Sequence, residues 1–427
     1  MASDGSVPRR TDLLDQMARA NRFAWIVLML ELVLIGVIAA IVDWNWVQRE
    51  PVMTAFAIAI MVSPLAKSVA LGYATKKKAV QDLKESTRFG QYDKVRLQSL
   101  FRDTLATLRL PDENLSLYIL ASPSMNAFAR HEGLGMLFKS LNGVYLNRQT
   151  LHKLEPTEVQ DIIGHELGHY YRYYLVIDRF QIITIALGSI LGVLVIQRLA
   201  LDGYLAYLLL LGATTAAWTL SGLPYRRNAT AIEYLCDDFG AQVGGVFPSI
   251  QGLLKIGLAS ELECLVIQQV ILSKMSSDLN PSELADTIAA SIPYGYATRE
   301  EIEQRVKREV NHRAANQNKS LTGLLRYMWY GDQDAENVEA LAEEAKKIKR
   351  LQSMPRLNWE QVLRDPNQVQ FTEDSMRRLI ELIESRPSEL LFRIPESSGD
   401  VHPPLRNRIL YLWYNRSEIE SMLSPRR

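Results

Sequence analysis

Two histidines four residues apart with a glutamate between them are the side chains best suited to chemistry in this chain: His165-Glu166-Leu167-Gly168-His169. They lie in a segment of helical character from about Thr157 to Tyr173, and residues four apart on a helix share a face. His165 and His169 can therefore offer two imidazoles to one metal ion. Glu166 stands beside that ion and can hold a water against it. Two neutral histidines, a third protein ligand and an open position suit Zn2+, one ion per chain. The ion would acidify the water toward neutrality, and Glu166 would take its proton. Pro156 suits the first turn of such a helix, and Thr157 with Gln160 resembles a capping box. The competing reading is an amphipathic helix with two histidines on its face. The chain has only six histidines, and two of them fall at this spacing around a glutamate.

The third ligand is sought further on, in Ala231-Ile232-Glu233-Tyr234-Leu235-Cys236-Asp237. Glu233 is the expected ligand. Asp237, one helical turn later, shares its face and could orient a ligating histidine by accepting its free N–H. Pairs of this kind are common on solvated helices. Here a hairpin of two apolar segments lies between the motifs and would return Glu233 to His169. Cys236 is read as packing, since two histidines and a glutamate complete a catalytic set.

The elements that must position these residues alternate between membrane and water. Phe23 to Val42 and Val52 to about Tyr73 are each long enough to span a bilayer, and Asp43-Trp44-Asn45-Trp46 after the first resembles an interfacial belt rather than a cleavage site. Glu31 within the first span is expected to be protonated or packed against a helix. Further spans are expected from about Phe180 to Ile196 and from about Tyr204 to Leu220. The basic residues Arg9, Arg10, Arg19, Arg22, Lys76 to Lys78, Arg226 and Arg227 put both termini and the metal motif on the cytoplasmic side. Residues 79–112 look helical and charged. Leu115 to Ala121 alternates as a strand does, and Asn142-Gly143 is a hairpin-turn signal between Met136–Leu141 and Val144–Leu146. A small antiparallel sheet is therefore expected before the motif, with an edge strand that could hold a substrate backbone. The 427 residues allow two or three domains. Charge is balanced, 48 basic against 48 acidic residues, so nothing in the composition suggests a nucleic-acid partner. Neither cysteine, Cys236 nor Cys264, belongs to a C-x-x-C pair, so no disulfide framework is expected.

With these residues in place the chain resembles the HtpX-type integral-membrane zinc metallopeptidases, relatives of the prenyl-protein (CAAX) endopeptidases. The matching features are the two apolar hairpins, Asn126-Ala127-Phe128-Ala129, the histidine motif, and Glu233 with Asp237. A late His402-Pro403-Pro404 with Arg408-Ile409 matches as well. The resemblance implies a mainly α membrane protein: four transmembrane helices, a gluzincin-like α+β metallopeptidase domain with a small antiparallel sheet, and a large helical insert. The expected division is a cytoplasmic segment 1–22, a first hairpin 23–74, peptidase domain 75–179, a second hairpin 180–222 and a third-ligand helix 223–245. An insert 246–399 and a C-terminal peptidase segment 400–427 follow. The resemblance further implies Zn2+ on His165, His169 and Glu233, with Glu166 as general base. His402 and Arg408 would lie near a developing oxyanion, and Asn126 and Ala127 on the strand that lines the substrate. Partners would be the lipid bilayer and polypeptide substrates such as misfolded membrane proteins, in a bacterial inner membrane, with no nucleic acid. Two other readings remain: prenyl-protein processing, which would need a larger intramembrane chamber than four spans make, and a non-catalytic scaffold, for which a general base at Glu166 has no use. Within the insert, helices are expected at Pro281–Ser291, Ala297–Ala315, Ala335–Leu351 and Ser375–Ser385, with an apolar cluster at Met328 to Tyr330.

Overall fold

The computed structural model describes residues 7–74, 77–110, 115–120, 127–130, 142–272, 304–308, 350–351, 353–363, 371–394 and 402–423. Most of the chain is helical. The first helix, α1 (Arg10–Ile41), has 32 residues. That is about 48 Å at 1.5 Å per residue, more than the ~30 Å of a bilayer core. The surplus is N-terminal, so residues 10–22 form a polar extension of the same helix. Its buried residues Leu13, Met17, Ala24, Leu28, Glu31 and Ile38 recur at intervals of three, four or seven, which is one stripe along a helix. Phe23, Ile26, Leu30 and Val33 are exposed. Glu31 packs inward and accepts a hydrogen bond from the Thr184 hydroxyl at 2.9 Å. A short α2 (Trp44–Arg49) leads into α3 (Pro51–Ala74).

The segment after α3 is not one charged helix. It contains β1 (Lys77–Ala79), a two-stranded ribbon of β2 (Arg88–Phe89) and β3 (Tyr92–Asp93), and then α4 (Lys94–Leu108), capped by the Asp93 carboxylate. With β4 (Ser116–Leu120), β5 (Ala127–Arg130) and β6 (Gly143–Asn147) the chain builds a four-stranded sheet in the order β1-β4-β6-β5. The expectation of an antiparallel sheet is corrected here. β4 and β6 are parallel, while the β1–β4 and β5–β6 pairs are antiparallel. The chain reverses twice between β4 and β6, and β6 inserts between its two predecessors. Hydrophobic alternation marks strands but not their order. Nor is Gly143 a turn residue. It opens β6, pairing with Ser116 on one side and Arg130 on the other, and a Cβ there would collide with the Ser116 carbonyl. Glycine is needed at this point for close approach. The expected partner strand Met136–Leu141 lies outside the described residues.

Next come α5 (Arg148–Lys153) and the motif helix α6 (Pro156–Leu167). The box that caps α6 is Glu155 with Glu158, whose carboxylate accepts from the Glu155 N–H at 2.8 Å. Pro156 occupies the first helical position, which moves the cap two residues ahead of the expected Thr157–Gln160 pair. After the short α7 (Val176–Arg179), α8 (Gln181–Leu199) and α9 (Gly203–Ser221) form an apolar hairpin. They pack at Gly188 against Ala217 and share a buried Ser189–Thr214 hydrogen bond of 3.1 Å, the small-residue and hydroxyl contacts that join helices in lipid. Its far turn is tied to the α1–α2 corner, where Gln197 both accepts from the Asp43 N–H (3.0 Å) and donates to the Asp43 carbonyl (3.1 Å). Among the described residues three helices are long and apolar enough to cross a membrane: Arg10–Ile41, Gln181–Leu199 and Gly203–Gly244. The last runs through α9 into α10 (Leu223–Gly244). In α3 the described apolar stretch is Pro51–Ser63.

Gly245, at φ 93°, turns α10 into α11 (Val246–Leu272), a backbone state that favours glycine. α11 packs on α6 through a buried ion pair, Lys255 to both Glu158 oxygens at 2.7 Å, so the segment read as an insert begins packed against the motif helix. The expected helix at 281–291, most of those at 297–315 and 335–351, and the 328–330 cluster lie outside the described residues. Helix α12 (Glu373–Ser385) matches the expected one at 375–385, with Thr372 as its cap. Helices α13 (Leu405–Tyr414) and α14 (Arg416–Leu423) return the C-terminus to the core.

Candidate metal centre

Helices α6 and α10 meet along a seam of glycines. A Cβ on Gly240 would stand 2.5 Å from the Asp161 carbonyl, and one on Gly164 would stand 2.9 Å from the Gly240 Cα. This closeness brings the side chains of the two helices together. His165 and His169 project from α6 and the π-helical turn that follows it, Gly168–Arg172, where the Tyr173 N–H reaches the Gly168 carbonyl at 2.8 Å. Glu233 projects from α10. The His165, His169 and Glu233 ligand atoms all lie within 4.8 Å of one another.

The donor set fits a metal ion. The two Nε2 atoms are 3.2 Å apart, His169 Nε2 is 3.2 Å from Glu233 Oε1, and His165 Nε2 is 3.6 Å from Glu233 Oε2. Atoms bound tetrahedrally at the ~2.0–2.1 Å typical of zinc would be about 3.3 Å apart. Two ring nitrogens so close must not both carry protons, and for His165 the tautomer is set. Its Nδ1 donates to Asp237 Oδ1 at 2.9 Å, leaving Nε2 as a lone pair. Glu233 is 1% exposed, His165 12% and His169 23%, so the site opens on the His169 side.

Behind the ligands stands a second layer. Arg408, from α13, donates Nε to Asp237 Oδ2 at 2.7 Å and its terminal nitrogen to Asp237 Oδ1. The order is thus Arg408, Asp237, His165. His402 is also brought in: its Nδ1 lies 2.7 Å from Glu233 Oε2, while its side chain is 60% exposed. Cys236 is buried and hydrogen-bonded to the His169 ring, and its sulfur would lie 3.0 Å from a Cβ on Gly168. The thiol therefore supports His169 besides packing. Glu166 is half-buried on α6, one residue after His165. Ala127 lies on β5, paired with Leu146, at the end of the sheet order. Asn126 lies outside the described residues.

Two groups of this neighbourhood escaped the sequence reading. Asp161, one turn before His165, is buried and accepts from the Ser249 hydroxyl of α11. Burial pushes its carboxyl up to about 8. Arg10 donates Nε to the fully buried Asp238 at 2.6 Å, tying α1 to the ligand helix one residue beyond Asp237. Adjacent acidic residues on α10, Asp237 and Asp238, were the available signal for two buried cations.

No curated protein and no solved structure matches the chain. Residues 92–248, which hold three of the sheet's four strands, the motif helix and the Glu233 helix, match the model of Peptidase family M48, and that match supports the HtpX/CAAX-type family, and with it a metallopeptidase, which the motifs and the His165–His169–Glu233 cluster had already suggested.

Proposed function

We propose that the protein is a membrane-embedded, zinc-dependent endopeptidase. The observation that carries this is the convergence of His165, His169 and Glu233 with Asp237 behind His165. Zinc held by these three residues supplies Lewis acidity, lowering the pKa of a water and polarising a peptide carbonyl. Asp237, itself gripped by Arg408, holds the His165 ring with Nε2 toward the centre. Glu166 accepts the proton of the attacking water and delivers it to the leaving amine. His402, hydrogen-bonded through Nδ1 to Glu233 and largely exposed, is assigned to the oxyanion. Arg408 is assigned to positioning, because its donors face Asp237. Substrate backbone is proposed to add as a further strand along the outer edge of β5, beside α6, against Asn126 and Ala127 of this chain.

Four spans are proposed, with α3 as the fourth, and with both termini and the centre on the cytoplasmic side of a bacterial inner membrane. Substrates are proposed to be misfolded or misassembled membrane proteins. The test is zinc stoichiometry with casein cleavage on detergent-purified wild type and Glu166→Gln. The expected result is about one zinc in both proteins and cleavage by the wild type alone. A protein without zinc, or a variant that cuts as fast as wild type, would overturn the reading.

A further inference from the structure

Five arginines cluster where α1, the start of α10 and the segment after the motif helix are hydrogen-bonded together, forming a basic band. Arg19, Arg22, Arg172, Arg226 and Arg227 are all exposed, and none makes an ion pair among the described residues. Hydrogen bonds between their neighbours fix the band. Gln16 donates to the Asn228 side chain at 3.0 Å, setting α1 against the start of α10. Asn21 donates to the Tyr174 carbonyl at 3.0 Å and accepts from the Val176 N–H at 2.9 Å. Arg19 and Arg22 follow Gln16 by three and six residues, Arg172 precedes Tyr174 by two residues, and Arg226 and Arg227 come just before Asn228.

The band sits where the apolar surface begins. Phe23, next to Arg22, is 65% exposed, and Leu220 and Leu223, just before Arg226, are 60% and 37% exposed. The opposite end of the spans differs. There Asp43 pairs with Arg49 at 3.6 Å, and Glu50, Arg198 and Asp202 mix the signs. Loop charge bias sets orientation; five guanidiniums left unpaired in one band do more, because each offers a planar fork of donors that fits phosphate oxygens. We propose that anionic phospholipid headgroups dock on this band. The inference rests on the membrane reading of α1, α8 and α9 but not on peptidase activity. Two of its members lie close to the centre by sequence: Arg172 closes the π-turn of His169, and Arg227 shares α10 with Glu233.

The test uses full-length protein in phosphatidylcholine vesicles carrying trace spin-labelled phosphatidylglycerol or phosphatidylcholine. The readout is the motionally restricted fraction of each label. The wild type should restrict phosphatidylglycerol several-fold in preference, and high salt should weaken this by screening. Replacing all five arginines by Gln should bring the preference close to unity, whereas Arg49→Gln with Arg198→Gln, at the other end, should leave it intact. Equal restriction of both lipids by the wild type overturns the proposal. So does an unchanged preference in the five-fold variant, or one abolished by the far-end pair. Should the five-fold variant fail to reconstitute, a wild-type preference that high salt leaves untouched decides against it. Failure of the wild type to float with vesicles would overturn the membrane reading as well.

Discussion

Asp161 and Asp237 are buried carboxyls on the two sides of the α6–α10 seam, and only Asp237 has a cation. Asp161 has the Ser249 hydroxyl, and burial raises it from 3.8 to about 8. A carboxyl raised by folding adds stability that is full below its unfolded pKa and is lost as pH climbs through the folded one. Melting temperature measured from pH 4 to 8 should therefore fall further in wild type than in Asp161→Asn; parallel curves would exclude the effect. For Arg408→Ala, Asp237 is left buried without its partner, and a loss of about 3–5 kcal/mol in denaturant unfolding is expected. Arg408→Lys should recover only part, since one ammonium cannot replace the fork. Zinc affinity should drop roughly 10–100-fold in Asp237→Ala, read by chelator competition. At this scale the sequence was most informative about groups that share a helix. His165 with His169, and Glu233 with Asp237, are each four residues apart. The Arg408–Asp237 bond was not readable, because it joins helices far apart in the chain and depends on which way a guanidinium turns.

At the scale of elements the seam decides the geometry. Gly240→Ala would push a methyl into the Asp161 carbonyl, costing about 1–3 kcal/mol and driving Glu233 away from the two histidines, so bound zinc should fall with stability. The Lys255–Glu158 pair gives a different signature. Lys255→Met strands a carboxylate and should destabilise strongly, while Lys255→Met with Glu158→Gln should regain much of the loss; a double variant no better than the single would argue that the contact is packing alone. The apolar run Phe23–Val42 announced itself by its length, and the strand at 115–121 by its alternation. The parallel β4–β6 pair did not, because the order of strands depends on tertiary packing. Nor did the π-turn at Gly168–Arg172, since nothing in residue type separates one widened turn from an α-helical one.

Across the whole molecule, α1 joins what the sequence seemed to divide. It is hydrogen-bonded to α10 at Asp238 and Asn228, to the loop after the motif at Tyr174 and Val176, and to α8 at Thr184. Composition read residues 1–22 as a polar tail because the buried stripe there is only Leu13 and Met17 among charges. The helix that bears Glu233 is likewise the outward continuation of a span, and this sets a reach. From Ser221, where α9 ends, to Glu233 is roughly 18 Å of helix at 1.5 Å per residue. A substrate anchored in the same bilayer must cover that height with extended chain, about five or six residues at ~3.3 Å each. On the proposed endopeptidase reading, the centre would then work as a length gauge, sparing peptide bonds flush with the lipid and cutting only tails that reach far enough out of the membrane to touch it.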